Sequence, residues 1–248
     1  MASLAGKAGL VTGGGSGIGA AIAATFAAAG ARVAVTGRRA APLAQTVQRI
    51  EQAGGTAFGR TADVTDLEAM AGAVAETVGR FGRLDIVVAN AGVQPQRRPV
   101  LDYPPADWHQ VLDINLSGVW NTAKASVPAL IRSGGGSMII IGSGMARVSG
   151  GGSGAYAVAK AGVSALTRVL AAELREAGIA VNELIPGPTR TPGTGTAGES
   201  AEAAERRWTE AGEWFKDPAE VARLALFVAA LPRPGPTGQV FSLAGRLL

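Results

Sequence analysis

Short runs of Val, Ile, Leu and Ala recur along the chain, and each is followed by a longer Ala-rich stretch with helical spacing. The apolar runs predict strands at residues 10–12, 32–36, 57–61, 86–89, 137–142, 180–185 and 239–242. The stretches between them predict helices over 17–29, 42–53, 67–81, 106–131, 155–177 and 218–230. The strands lack the apolar–polar alternation of a half-exposed sheet, which places both of their faces in a core. Strands alternating with helices require right-handed crossovers and hence parallel pairing. The pattern therefore predicts an α/β, doubly wound architecture, a seven-stranded parallel sheet with helices on both faces.

Helix-start chemistry agrees. Thr65-Asp66-Leu67-Glu68 has the spacing of a capping box, and Asp217-Pro218-Ala219-Glu220 orders an N-cap, a first-turn proline and an acid at the third position. No internal repeat and no linker divides the chain, so 1–248 is read as a single domain. Residues 186–216 stand apart. Rich in Pro, Gly, Thr and Ser and then charged, with Trp208, Trp214 and Phe215, they read as an insertion whose aromatics either line a pocket or merely pack.

Composition narrows the functional classes. A chain of 248 residues, 47% of them hydrophobic, is long enough to bury a core without covalent staples. Absence of cysteine excludes disulfides and thiolate metal sites. The single histidine, His109, cannot build a zinc site alone and reads as a surface or packing residue, while Trp108 and Trp120 read as core-facing. The N-terminus carries no secretory pattern and no apolar run approaches the ~20 residues that span a bilayer, so a soluble, cytoplasmic protein without membrane contact is expected. The net charge of +4 invites a nucleic-acid reading. The arginines are scattered, however, and aromatics make up only 5% of the chain, so nucleic acid is not an expected partner.

The first strand runs into Thr12-Gly13-Gly14-Gly15-Ser16-Gly17-Ile18-Gly19, and a helix follows. Glycines let a pyrophosphate approach the backbone, and a helix N-terminus offers free N–H groups with partial positive charge. The spacing, T-G-x-x-x-G-x-G, resembles the short-chain dehydrogenase/reductase family, in its single-domain branch of about this length, similar to 3-oxoacyl-carrier-protein and carbonyl reductases. The resemblance implies a Rossmann fold binding a nicotinamide dinucleotide through Gly13, Gly15, Ser16, Gly17, Ile18 and Gly19. The second strand ends Gly37-Arg38-Arg39. Where this fold commonly places an acid for the ribose 2′-hydroxyl, a glycine stands, with a guanidinium next to it, which favours NADP(H) over NAD(H). Arg38 stacking on adenine or facing solvent is the competing reading. By resemblance, Asp63 and Val64 contact adenine, and Asn90, Ala91 and Gly92 lie near its ribose.

Tyr156-Ala157-Val158-Ala159-Lys160 places a phenol and an ammonium four positions apart on one helix face. A nearby cation lowers a phenol's pKa, so the pair can act as a tuned proton donor, although this spacing alone also describes an ordinary solvated helix face. Resemblance to the family adds Ser143, whose hydroxyl would hold the substrate oxygen, and Asn115, which would hold a water beside Lys160. It also adds the Pro186-Gly187-x-Thr189-x-Thr191 turn against the nicotinamide carboxamide. Arg97, Arg98 and Arg147 either meet an acidic substrate group or are solvated. Two stretches depart from the family pattern: the tail Ser242-Leu243-Ala244-Gly245-Arg246, where Asp-Gly-Gly is common, and the glycine-rich 144–154 segment. The resemblance spans residues 6–240 and implies an enzyme moving hydride between nicotinamide and a ketone or secondary alcohol, assembled as a homotetramer. Three rivals remain: a sugar or steroid alcohol dehydrogenase, a non-catalytic dinucleotide sensor, and an epimerase or dehydratase of the extended family. The last is disfavoured by chain length and glycine spacing.

Overall fold

A computed structural model describes residues 3–148, 150–191, 200–233 and 235–245. Seven strands are present: β1 (Ala8–Thr12), β2 (Arg32–Gly37), β3 (Thr56–Thr61), β4 (Ile86–Ala89), β5 (Gly136–Ile141), β6 (Ile179–Ile185) and β7 (Val240–Ser242). All pair in parallel, in the order β3-β2-β1-β4-β5-β6-β7. The sheet is wound outward from β1 to β3 and then from β4 to β7. The reversal between β1 and β4 leaves a crevice at the C-terminal strand ends, where ligands of open parallel sheets bind.

The helices are α1 (Gly17–Ala28), α2 (Ala40–Gln52), α3 (Leu67–Phe81), α4 (Pro105–Leu112), α5 (Gly118–Arg132), α6 (Gly154–Glu173), α7 (Ala201–Glu210) and α8 (Pro218–Ala229). Two apolar layers fill the faces of the sheet, one with α3, α5 and α6, the other with α1, α2 and α8. Consecutive strand residues point to opposite layers, Leu10 and Val87 into the first, Val11 and Val88 into the second. Both layers being apolar explains why the strands show no period-two alternation.

Several boundaries differ from expectation. The helix predicted over 106–131 is three pieces, because α4 passes through a π-helical turn, Asp113–Ser117, before α5 begins. Within that turn the Asn115 amide donates to Val111 O one turn back, at 3.0 Å, an interaction that hydrophobic periodicity does not encode. The helix predicted to 177 ends at Glu173. Thr65 is not the cap of α3; Asp66 is, accepting from Ala69 N at 3.0 Å. The capping box at Asp217 and Glu220 forms as predicted. Trp120 is 44% exposed rather than core-facing, with the Lys124 ammonium 4.7 Å from its ring centre. His109 is exposed, and Trp108 packs edge-on against Tyr103. The 186–216 segment contains α7 and is tied at its ends by Arg190 N donating to Lys216 O and Lys216 N donating to Pro188 O. Its residues 192–199, together with Ser149 and Arg246, lie outside the described residues.

The opposite, N-terminal edge of the sheet is pinned by Asp85. Its fully buried carboxylate accepts from Ala8 N at 3.0 Å and from both arms of Arg83 at 2.7 and 2.6 Å, with Lys7 at 3.4 Å. Burial works to raise its pKa, but the bonds from Arg83 and Ala8 N, with the charges of Lys7 and Arg83, outweigh it and hold the group below the usual carboxylate range. A depressed folded value means that this stabilisation is present above the unfolded carboxyl pKa and is lost as pH falls through the folded value. Asp85→Ala is expected to cost about 3–5 kcal/mol by urea unfolding at pH 7, and less as the solution is acidified.

Candidate active site

Strand β1 delivers the chain into a turn that no side chain could occupy without displacement. Gly13 has φ +65°, and a Cβ there would lie 2.8 Å from Asn90 Nδ2 and 2.9 Å from Ala91 Cα. At Gly14 a Cβ would stand 2.7 Å from Val35 Cβ. Helix α1 then begins at Gly17, its cap Ser16 makes no side-chain bond to the first turn, and no acid lies in that turn. The free N–H groups therefore face the crevice with nothing in the chain competing for them, which suits an anionic group.

Thr12 fastens this turn to the end of β4. Its Oγ1 accepts from Asn90 N and Ala91 N, each at 3.0 Å, while Asn90 Nδ2 donates to Thr12 O at 2.8 Å. The Asn90 amide thus acts as a brace between two loops, and Thr12 is a site residue that the sequence reading missed. A hydroxyl residue closing an apolar strand was the only available signal.

The resulting cleft, about 320 Å³, is lined by Gly13, Gly15, Ser16, Gly17 and Ile18 at one end and by Ala91, Gly92 and Val93 at the other. Gly37, Arg38, Arg39, Asp63 and Val64 form its far wall, and Thr191 closes its near side. Arg38 and Arg39 are exposed and have no ion-pair partner among the described residues. Asp63 Oδ1 accepts from Thr65 N and Thr65 Oγ1, both at 2.9 Å, so one carboxylate oxygen shapes the loop. Gly19 does not line the cleft; it packs α1 against Gly13 and Asn90, where a Cβ would collide. Pro186, Gly187 and Thr189 also lie outside the lining, on the turn after β6.

Ser143, Tyr156 and Lys160 come together beyond the C-terminal end of β5. The Ser143 hydroxyl lies next to the Tyr156 phenol and pulls its pKa down, and its Oγ accepts from Met145 N at 3.2 Å, which fixes the hydroxyl at the head of a short 3₁₀ turn. Lys160 is 4% exposed, and its Nζ donates to Ile141 O at 2.8 Å, 5.8 Å from the centre of the Tyr156 ring. Burial pushes the Tyr156 phenol up, the Ser143 hydroxyl pulls it down, and burial prevails. The net lowering expected from a neighbouring ammonium is therefore not present, since the ammonium is directed to a backbone carbonyl. Burial also pulls Lys160 down, against the opposing charge of Glu183, to about 8.

Asn115 is fully buried, and its side chain is engaged by backbone groups of the cleft wall and of its own helix. Its amide donates to Val93 O and Val111 O at 3.0 Å each, and Oδ1 accepts from Val93 N at 3.1 Å. Both amide hydrogens are thus committed to backbone carbonyls, and the side chain clamps the wall of the cleft at Val93. Arg97 and Arg98 are likewise engaged with protein groups, Ser153 Oγ at 3.3 Å and Asp107 at 3.4 Å. Trp208, Trp214 and Phe215 line neither this cleft nor a second, polar cavity beside β6, whereas Arg147 lines the latter.

Besides Asp85 and Glu213, the buried charged residues Lys216 and Glu183 escaped the sequence reading. Lys216 is wholly buried, donating to Trp214 O at 2.6 Å, and its backbone holds the turn at Pro188 and Arg190. Glu183 lies within β6, 1% exposed. An acid inside an otherwise apolar strand was a visible signal for the second; nothing marked the first. Among the described residues no cluster of potential metal ligands occurs, and no helix is long and apolar enough to cross a membrane.

A family model of the short-chain dehydrogenase type, described as enoyl-(acyl carrier protein) reductase, matches residues 13–245. The chain belongs to the short-chain dehydrogenase/reductase family. Members of this oxidoreductase family that resemble it include the 3-oxoacyl-[acyl-carrier-protein] reductase of Thermotoga maritima, 34% identical over 99% of both chains. An uncharacterized NAD-dependent oxidoreductase of Mycobacterium tuberculosis is 41% identical over 151 residues, 60% of this chain and 54% of that protein, so the match spans about half of that relative. Carveol dehydrogenase from Mycobacterium avium, solved in complex with NAD, superposes with a TM-score of 0.86 at 27% identity over 98% of both chains.

In this short-chain dehydrogenase/reductase, the Asn115 clamp should be measurable as stability. Asn115→Ala leaves Val93 N and two carbonyls without partners and is expected to cost about 2–4 kcal/mol in urea unfolding.

Proposed function

We propose that the protein transfers hydride between a nicotinamide dinucleotide and a ketone or secondary alcohol, with Tyr156 as the acid and base. The observation that carries this reading is the Ser143 hydroxyl next to the Tyr156 phenol and a buried Lys160, beyond the C-terminal end of β5, the sheet edge on which the glycine-walled cleft also opens. A dinucleotide fits the cleft on this structure's own terms. The uncapped start of α1 would take the pyrophosphate, and Gly13, Gly15 and Gly92 present backbone without side chains to the cleft they line. Asp63 and Val64 would meet adenine, Lys160 the nicotinamide ribose, and the turn carrying Thr189 and Thr191 the carboxamide. When bound, the dinucleotide supplies or accepts hydride at its nicotinamide ring.

The chain's own residues handle the proton. Ser143 and Tyr156 hold the carbonyl oxygen between two hydroxyls, where negative charge develops. A phenol with a raised pKa stays protonated through neutral pH and can donate to that oxygen. Lys160 keeps a positive charge below about pH 8, beside the phenolate left by that donation. Asn115 serves as a positioning residue, fixing the Val93 wall rather than relaying protons through its side chain.

Arg38 supports NADP(H). Its guanidinium is exposed at the cleft wall without an ion pair, available for bidentate contact with a 2′-phosphate, and Gly37 presents no repelling acid. Relatives named for NAD or solved with it are also members of this family, so the preference rests on these two positions. A homotetramer has a surface to use, since α5 and α6 expose Trp120, Val158 and Val169.

Four measurements test the reading. Tyr156→Phe is expected to lower kcat for ketone reduction at least ~10³-fold while dinucleotide affinity by fluorescence stays within about threefold. Binding without turnover in the unsubstituted protein, across a ketone panel with both cofactors, would instead indicate a sensor. Gly37→Asp is sterically admissible, a Cβ there meeting only Leu43 Cδ2 at 3.6 Å, and should shift the kcat/KM preference toward NADH by ~10-fold or more. Carbonyl reduction should hold from pH 6 to 7.5 and decline above pH 8 as Lys160 loses its proton, whereas alcohol oxidation should rise with pH.

A further inference from the structure

Glu183 has no role in the chemistry described so far, yet its placement is unusual. It sits on β6 opposite Ile140 of β5, on the sheet face covered by α6. Both carboxylate oxygens are buried and neither has a hydrogen-bond partner. An unpartnered buried charge is costly unless an opposite charge or water stands near it. The carboxylate occupies the space that a side chain at residue 142 would need, and glycine stands there. Immediately before it, Ile141 O receives the Lys160 ammonium. The carboxylate and the ammonium therefore converge on adjacent residues, Gly142 and Ile141, at the end of β5, from neighbouring elements and without a direct ion pair.

A cavity of about 380 Å³ opens from Glu183 toward the surface, sharing no lining residue with the cofactor cleft. Ser164 and Thr167, which follow Lys160 at helical spacing on α6, line it together with Gln239. Its polar walls and its volume, many times the ~30 Å³ share of one water, suit it to hydrate the carboxylate. The charged groups facing Glu183 are Lys160 and Arg168 from α6 and Arg147 from the segment after β5; the start of β7 and the residues before it contribute only the uncharged Gly238, Gln239 and Val240. The Arg168 guanidinium is engaged by Ser164 Oγ at 3.3 Å.

We propose that Glu183 is the counter-charge of Lys160, a positioning residue that holds the buried ammonium in its charged form from the neighbouring strand β6, on the sheet face that α6 covers. The proposal rests on the catalytic reading of Lys160 given above. Burial alone drives Lys160 toward the neutral amine, and the nearby carboxylate opposes that drive. The Ile141 carbonyl carries only a partial charge. Removing the negative charge at 183 leaves the ammonium with that dipole as its remaining support, and the site then loses its cation at a lower pH.

The test is Glu183→Gln, nearly isosteric, with Glu183→Met as a second variant that removes the charge without asking for new hydrogen bonds. Cooperative melting establishes that each is folded. The alkaline limb of kcat for ketone reduction is expected to move down by about one pH unit, so the ratio of kcat at pH 6.5 to that at pH 9 rises about sevenfold. In protein carrying 13C-lysine and no cofactor, the resonance that titrates near pH 8 and disappears in Lys160→Met should titrate lower in both Glu183 variants. Unchanged titration of that resonance in folded Glu183→Gln or Glu183→Met overturns the proposal, whatever the activity. Loss of turnover in Lys160→Met alongside such a result would leave the catalytic reading standing, whereas full turnover in Lys160→Met would overturn the catalytic reading itself.

Discussion

The contact between the β1 turn and the end of β4 is the constraint on which the rest of the structure depends. Thr12 bridges the two loops through three hydrogen bonds, and Gly13 and Gly19 let their backbones approach to a distance that any Cβ would prevent. That closeness sets the width of the crevice at the point where the winding of the sheet reverses. It also brings Ala91, Gly92 and Val93 into line with the uncapped start of α1. From Val93 the Asn115 clamp carries the position onward to the helices that flank α6. Asn115 thus ties the cleft wall to the π-helical turn, which in turn packs against α6, the helix that carries Tyr156 and Lys160.

The electrostatics of the reacting end follow from its depth. Taking a phenol and an ammonium out of water disfavours the charged form of each, so the phenol's pKa rises while the ammonium's falls. The two shifts move apart groups that titrate close together in water, so that the phenol keeps its proton at a pH where the ammonium, at about 8, has begun to lose its own. Ser143 moderates the first, and Glu183 the second.

Much of the fold was legible because its signals are local and repeated. Seven strands and their helical crossovers follow from apolar runs and periodicity, and the glycine turn follows from its position between a strand and a helix. The Asp217 capping box was readable for the same reason. What was not legible depends on partners far apart in the chain. Asn115 stood out as a polar residue in a helix, but its target, Val93, is 22 residues away, and the π-helical turn around it leaves no mark in hydrophobic spacing. The Tyr156–Lys160 spacing foretold that the two share a helix face. It could not foretell that the ammonium would be directed to Ile141 O, 19 residues back on a strand. Trp120 was misjudged because aromatic character does not say which face of α5 is covered.

Gly142 and Glu183 occupy adjoining positions on paired strands and compete for one volume. A methyl group at 142 would displace the carboxylate, and an apolar or short residue at 183 would release 142 from having to be glycine. The two sites form a single unit of inheritance. Among descendants of this chain, a change at one should be found with a change at the other, so the pair would mark the lineage that keeps an acid beneath its lysine.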